Sequence, residues 1–240
     1  MWRSCWLRLE SVSGGAVNFL SLAKMLPIKP WLAYYRKNVY SQNGEDGIIA
    51  EILRRLRITN GYVCEFGAAD GKYYSNTFAL IERGFRGVYI EYDETLYNNL
   101  LITCQKYPNI LPIRLKVTTE GENTLDNILS RTPMPIDFDV LSIDIDSYDY
   151  QIWDSVKKYR PKIVIIEING GIDPNARDII PNPWQSGTGF WPMRALGESK
   201  GYNLICHTGN LIFVRSDLGI SGDRKTFLAN IERGVTRIIE

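Results

Sequence analysis

The sequence predicts an α/β domain with a sheet of five parallel strands and a C-terminal antiparallel hairpin. Two observations predict the parallel part. From residue 40 onward, short apolar runs alternate with stretches of helical period, the pattern of a parallel sheet covered by helices on its faces. The runs also tend to end on carboxylates, at Glu91, Asp144 and Glu167. The hairpin follows from two apolar runs, 202–206 and 211–214, joined by a turn around Gly209 and Asn210.

The elements follow in order. Residues 47–56 read as a helix, with Ile48, Ile49, Ile52, Leu53 and Leu56 on one side. Residues 62–66 form a short apolar strand, followed by a turn over 67–71. Asn76 is read as the N-cap of a helix running to Glu82 and ended by Gly84. Residues 87–90 form the second strand, 94–105 a helix, 110–115 the third strand and 124–129 a short helix. The strand at 138–143 is the most apolar and hence central. A helix over 148–159 and a strand over 163–166 follow. Residues 168–190 are rich in Gly, Pro, Asn and Asp without periodicity, and long loops in compact domains are often functional. The pattern resumes with a helix over 191–199, ended at Gly201.

Composition narrows the class. The chain has 240 residues, 45% hydrophobic and 23% charged, enough for one domain with its own core. Its net charge of +1 carries no basic excess, so nucleic acid is not expected as a partner. Arg54, Arg55 and Arg57 read as a solvated helix face beside Glu51. The four cysteines lack paired spacing; they read as reduced thiols of a cytoplasmic protein. No stretch is long enough to span a bilayer. Trp2, Cys5, Trp6 and Leu9 fall at helical spacing. Residues 1–35 therefore read as an amphipathic extension docking on the protein or on a second copy, with peripheral membrane contact as the other reading. The expected divisions are an extension over 1–39, a domain over 40–218 and a helical tail over 219–240.

The turn Gly67-Ala68-Ala69-Asp70-Gly71 follows a strand containing Glu65. In open parallel sheets, ligands bind beyond the carboxyl ends of the strands, where this turn would lie. The G-x-G-x-x-G fingerprint is missing its middle glycine at position 69, and a pyrophosphate needs close backbone approach there. S-adenosylmethionine (SAM), whose ammonium and sulfonium are cationic, suits the acidic Glu65 and Asp70 better. Glu91 lies about 20 residues beyond the turn, where a carboxylate accepts ribose hydroxyls. The plain alternative is a solvated Glu at a strand end.

A second acidic tip is Asp144-Ile145-Asp146-Ser147-Tyr148-Asp149, followed by Glu167 and Asn169 at the next strand end. Asp144 and Asp146 would share a side if the chain stayed extended. Together with Glu167 they could hold Mg2+, or one could act as a general base on a hydroxyl. The structural alternative is capping of the following helix. Likewise, Ser41 with Glu45, or Asn43 with Asp46, reads either as capping or as part of a closure over the ligand. His207, the only histidine, is a catalytic candidate because its pKa suits proton transfer; a lone hairpin histidine is more often structural.

The runs Thr124-Leu125-Asp126, Phe138 through Asp146 and Ile163 through Glu167 resemble the FkbM-type SAM-dependent methyltransferase family. More narrowly, Tyr40 through Gly47 and the segment from Arg194 to Arg215 resemble a bacterial subgroup of it. Asp144-x-Asp146-x-Tyr148 is also similar to macrocin-type sugar O-methyltransferases, in which the first Asp is a metal ligand and the second a proposed base. The likeness covers residues 40–218. The chain departs from the FkbM pattern at Asp146-Ser147-Tyr148-Asp149, and from the macrocin type in having Glu167 and Asn169 where paired Asp residues are usual.

The resemblance implies a class I, Rossmann-like methyltransferase fold and methyl transfer from SAM to oxygen, with sugars, polysaccharides or polyketides as acceptors. The donor set expected here is Gln42, Glu65, Gly67, Ala68, Asp70, Gly71, Asn76, Glu91, Tyr92 and Val117. Asp144, Asp146 and His207 are the catalytic candidates, and Asp144, Asp146 and Glu167 the metal ligands. Trp184, Phe190 and Trp191 are expected to shape the acceptor pocket, and a homo-oligomer is an open expectation. Two other classes compete: an NAD-dependent sugar-nucleotide oxidoreductase and a non-catalytic nucleoside-binding scaffold.

Overall fold

A computed structural model describes residues 31–173, 175–179 and 187–221. The expectations for the segment 1–30, for Trp184 and for the tail beyond residue 221 lie outside the described residues.

Seven strands form one sheet: β1 (Tyr62–Phe66), β2 (Arg86–Glu91), β3 (Ile110–Arg114), β4 (Val140–Ile143), β5 (Ile163–Glu167), β6 (Tyr202–His207) and β7 (Asn210–Arg215). Their order is β3-β2-β1-β4-β5-β7-β6. Strands β1 to β5 are parallel and β7 is antiparallel to both β5 and β6. The expected five parallel strands and hairpin are therefore present. The second strand of the hairpin, not the first, joins β5. Strand β6 thus becomes an edge strand running parallel to β5, and its carboxyl end lies on the same rim as those of the parallel strands.

Among the described residues, six α-helices flank the sheet: α1 (Glu45–Arg55), α2 (Phe78–Glu82), α3 (Glu94–Lys106), α4 (Leu125–Ser130), α5 (Asp149–Ser155) and α6 (Phe190–Ser199). They split the core into two layers, one on each face. Cys64, Phe66, Leu141, Trp153, Ile166 and Phe213 pack with α4, α5 and α6 on one face. Val63, Tyr89, Val140, Ile165 and Ile212 pack with α1 and α2 on the other. Alternation along a strand sends Val63 and Cys64 into different layers. The central strands bury residues on both faces, which is why they read as continuous apolar runs.

Several boundaries differ from expectation, by one to four residues. Helix α2 starts at Phe78, and Asn76 does not cap it; Ser75 Oγ accepts from Phe78 N at 2.9 Å instead. Helix α5 covers Asp149–Ser155 rather than 148–159. The amides of Lys157, Lys158 and Tyr159 turn outward to Asp126, which accepts all three at 2.8–3.2 Å. Strand β4 starts at Val140 rather than at residue 138. No helix among the described residues is long and apolar enough to cross a membrane.

Candidate functional site

The parallel register aligns Phe66 with Ile143 and Ile143 with Ile166. One step further on, Gly67, Asp144 and Glu167 stand in a row along the carboxyl rim. Gly67 has φ +75°, and a Cβ there would lie 1.8 Å from the Asp144 carbonyl oxygen. Only glycine fits both the left-handed conformation and that approach. The turn and the second acidic tip are thereby in direct contact.

Four of the turn's five amides are committed within the protein. Gly67 N and Ala68 N donate to Ile90 O at 3.1 and 3.2 Å, and Gly71 N donates to Ala68 O at 2.7 Å. Ala69 N donates to Glu91 Oε2 at 2.8 Å. The next helix begins only at Phe78. A pyrophosphate cradle needs amides aimed at the ligand from a helix N-terminus, and this loop offers no such arrangement.

The acids around the turn fall into two kinds. Glu65 is buried and accepts from Ser75 Oγ at 2.6 Å, Asn76 N at 3.1 Å, Thr77 N at 3.2 Å and Thr77 Oγ1 at 2.5 Å. Burial raises its pKa while these donors lower it, with a net rise. Asp70 Oδ1 accepts from Lys72 N and Tyr73 N at 3.0 and 2.7 Å, an Asx turn. The expectation that Glu65 and Asp70 face a cationic ligand finds no support in these contacts; both carboxylates shape the loop. Asn76 is buried, and its Nδ2 donates to Ser142 Oγ at 3.1 Å, tying the loop to β4.

Glu91 is the second kind. Each oxygen accepts one backbone amide, from Ala69 at 2.8 Å and Asp93 at 2.7 Å. A carboxylate has about four lone-pair sites, so acceptor capacity remains. Beside it, Tyr92 is 64% exposed, with the Lys116 ammonium 5.8 Å from its ring centre. Leu115 N donates to Glu91 O at 3.3 Å, which brings the half-buried Val117 to the same corner.

At the second tip the chain does not stay extended, since Asp146 has φ +60°. Asp149 causes the turn: its carboxylate accepts from Ile145 N and Ser147 N at 3.0 Å each. The result still brings Asp144, Asp146 and Glu167 together, with one oxygen from each within 4.8 Å of the others. Burial first, and then the neighbouring Asp149 and Asp146, push Asp144 up to about 8. Burial and Asp144 push Glu167 up further still, to about 10. Like charges this close cannot all ionise without compensation.

His207 ends β6 on the same rim. Pairing places it level with Leu211 and Ile166, two strand spacings or about 10 Å from β5. Its Nδ1 lies 3.4 Å from Asn210 O, its ring is 6.0 Å from that of Phe190, and burial lowers its pKa. These contacts are structural and give the catalytic reading no support.

Above the hairpin sits the segment 41–46. Asp46 Oδ2 accepts from the amides of Val39, Tyr40 and Ser41 and from Ser41 Oγ, all within 2.9 Å. Glu45 accepts from Thr208 Oγ1 at 2.6 Å and Asn43 N at 2.8 Å. Gln42 is exposed at the crest, its carbonyl held by Asn38 at 2.8 Å.

The aromatic residues after the long loop are already covered. Phe190 is buried, and the Trp191 ring has the Arg177 guanidinium at 3.7 Å and Arg194 at 5.3 Å. The structure thus does not support either ring as an open platform for a sugar. Sequence reasoning missed Asp149 and Ser75 as the residues that shape the two tips. Both lie within capping distance of a helix start, the signal that could have found them.

No family model matches the chain, and no curated protein matches it. Among solved structures it is similar to a SAM-dependent methyltransferase from Aquifex aeolicus, at 12% identity and TM-score 0.44 over 83% of this chain and 100% of that one. It is similar to a TehB-like SAM-dependent methyltransferase from Corynebacterium glutamicum, at 12% identity and TM-score 0.45 over 77% and 92%. It is also similar to the N-terminal domain of EvdMO1 with SAH bound, at 11% identity and TM-score 0.45 over 72% and 80%. Likeness this distant does not carry activity across, so function is argued from the rim itself.

Proposed function

We propose that the chain is a SAM-dependent methyltransferase acting on a hydroxyl oxygen of a small molecule such as a sugar or glycan. The observation that carries the proposal is the junction at one rim of a nucleoside-type corner and a carboxylate row, joined where Gly67 meets the Asp144 carbonyl. The committed amides of the 67–71 turn disfavour NAD.

In this reading Glu91 accepts the ribose hydroxyls, Tyr92 and Val117 flank the purine, and Gln42 borders the opening. Gly67 lets the Asp144 tip close against the turn. SAM, when bound, supplies a methyl group on a sulfonium, open to attack by an oxygen nucleophile. The donor set of Asp144, Asp146 and Glu167 fits a hard cation such as Mg2+. Oxygen ligands on opposite sides of Mg2+ or Ca2+ stand roughly 4–5 Å apart, and these oxygens lie within 4.8 Å. Those three residues would hold the ion, whose charge would lower the pKa of an acceptor hydroxyl. A second reading has its own support. With a pKa near 8, Asp144 is basic enough to take the hydroxyl proton onto its carboxylate oxygen.

Calorimetric titration with SAM, with and without Mg2+, tests the proposal. Saturable SAM binding that Glu91→Ala weakens is expected. Absence of SAM binding refutes it and leaves the scaffold reading. Methylation that persists in chelator favours Asp144 as base. The cytoplasmic reading rests on cysteine usage, and Cys64, Cys104 and Cys206 are free thiols.

A further inference from the structure

Side chains close the first turns of four helices. Asp46 N in α1 donates to Ser41 Oγ at 3.2 Å, and Phe78 N in α2 to Ser75 Oγ at 2.9 Å. Leu96 N in α3 donates to Asp93 Oδ1 at 2.9 Å, and Asn127 N in α4 to Thr124 Oγ1 at 3.4 Å. Helix α6 is built differently. Its N-cap is Gly189, which has no side chain to offer, and among the described residues no acceptor meets the amides of Phe190 or Trp191. The third residue, Pro192, carries no N–H. Two donors are therefore left at the start of a ten-residue helix.

Thr188 stands directly before that cap. Its carbonyl accepts from Asn169 N at 3.0 Å, which fixes it beside the end of β5, two positions beyond Glu167. A Cβ on the preceding Gly187 would lie 4.0 Å from the carbonyl oxygen of Ser147, in the turn that carries Asp146. The first turn of α6 thus borders the acidic row on the carboxyl rim. Thr188 is only 2% exposed, and its hydroxyl oxygen is buried without a hydrogen-bond partner. Covalent geometry keeps that oxygen within about 6 Å of the Phe190 amide.

A buried hydroxyl without a partner costs free energy, and such groups in folded proteins call for a specific explanation. A ligand oxygen that accepts its proton removes the cost. With the two amides it makes a set of three donors, at the end of a helix where the peptide dipoles favour negative charge. A group that offers acceptors only, a carboxylate or a phosphate, matches this set. The exposed Arg177 guanidinium, 3.7 Å from the Trp191 ring centre, adds positive charge at the same turn. Arg194 is shared with Glu198 at 2.7 Å.

We infer that the first turn of α6 binds an anionic group of the methyl acceptor, with Thr188 as the side-chain donor. This rests on the methyltransferase reading of the rim and narrows its acceptor to an acidic sugar, either a uronic acid or a sugar phosphate. The test is calorimetry of the full chain, with Mg2+ present, against glucuronate, glucose 6-phosphate and neutral glucose. Thr188→Val removes the hydroxyl at nearly constant shape, and Thr188→Ser keeps it.

Saturable binding of at least one anionic sugar is expected, with none for glucose. Thr188→Val should weaken it about tenfold, and Thr188→Ser should retain it. The Tm of ligand-free Thr188→Val should equal or exceed that of the parent, because the lost hydroxyl has no partner in the protein. Binding of glucuronate alone assigns a carboxylate, and binding of glucose 6-phosphate alone assigns a phosphate. Failure of both anions, equal binding of glucose, or a lowered Tm for Thr188→Val overturns the inference, the last because it reveals a purely structural hydroxyl. SAM titration separates the two readings. SAM binding without anion binding overturns this inference alone, whereas anion binding without SAM binding keeps the anion site and overturns the methyltransferase reading.

Discussion

Replacing Gly67 with alanine tests whether the 67–71 turn and the acidic row form one unit. The added Cβ would sit 1.8 Å from the Asp144 carbonyl oxygen, 2.8 Å from its carbonyl carbon and 3.1 Å from Ile145 Cγ2. Two of these contacts are to backbone, so no side-chain rotation relieves them. A non-glycine residue in left-handed conformation costs about 1–2 kcal/mol. Overpacking a rigid site costs about 1–3 kcal/mol more. The expected loss is thus about 2–5 kcal/mol, a large share of the roughly 5–15 kcal/mol that folded domains possess. For a chain of this size that corresponds to a Tm lowered by about 5–15 °C. Relief requires the tips of β1 and β4 to part, which moves Asp144 relative to Glu167. Chemical denaturation and SAM titration should therefore both respond. A stability within about 0.5 kcal/mol of the parent, as for an ordinary surface substitution, with unchanged SAM affinity would refute the reasoning.

Further expectations follow from the same contacts. Glu91→Ala removes a charged acceptor and should lower SAM affinity about tenfold to hundredfold, measured by calorimetry, with NAD showing no binding to either protein. Asp126→Ala leaves the amides of Lys157, Lys158 and Tyr159 without their acceptor. It should cost about 1–3 kcal/mol in denaturant melts yet leave SAM binding unchanged, because Asp126 braces a loop away from the rim. The pKa of Asp144 is raised to about 8 and that of Glu167 to about 10, above the unfolded values of roughly 4. Between those limits the folded state holds more protons, so the stability of the metal-free protein should fall as pH rises from roughly 5 to 9. Added Mg2+ should flatten that slope, and its affinity should rise with pH as protons are displaced; a slope of opposite sign would refute the assignment.

The alternation of apolar and helical runs was enough to locate every strand, because burial on both faces leaves a continuous apolar signature at 62–66, 140–143 and 163–166. Glycine at position 67 and the acids at 91, 144 and 167 were legible too, since strand ends in a parallel sheet gather on one rim. What each carboxylate does was not legible. Glu65 and Glu91 look alike in sequence, yet one is enclosed by Ser75, Asn76 and Thr77 and the other retains acceptor capacity. The convergence of Asp146 with Asp144 depends on a left-handed turn held by Asp149, not on strand alternation. Local patterning determined the elements and the rim on which chemistry gathers. Hydrogen-bond partners and charge balance depend on contacts between residues remote in sequence, so only the tertiary structure decided which groups are engaged and which remain for a ligand.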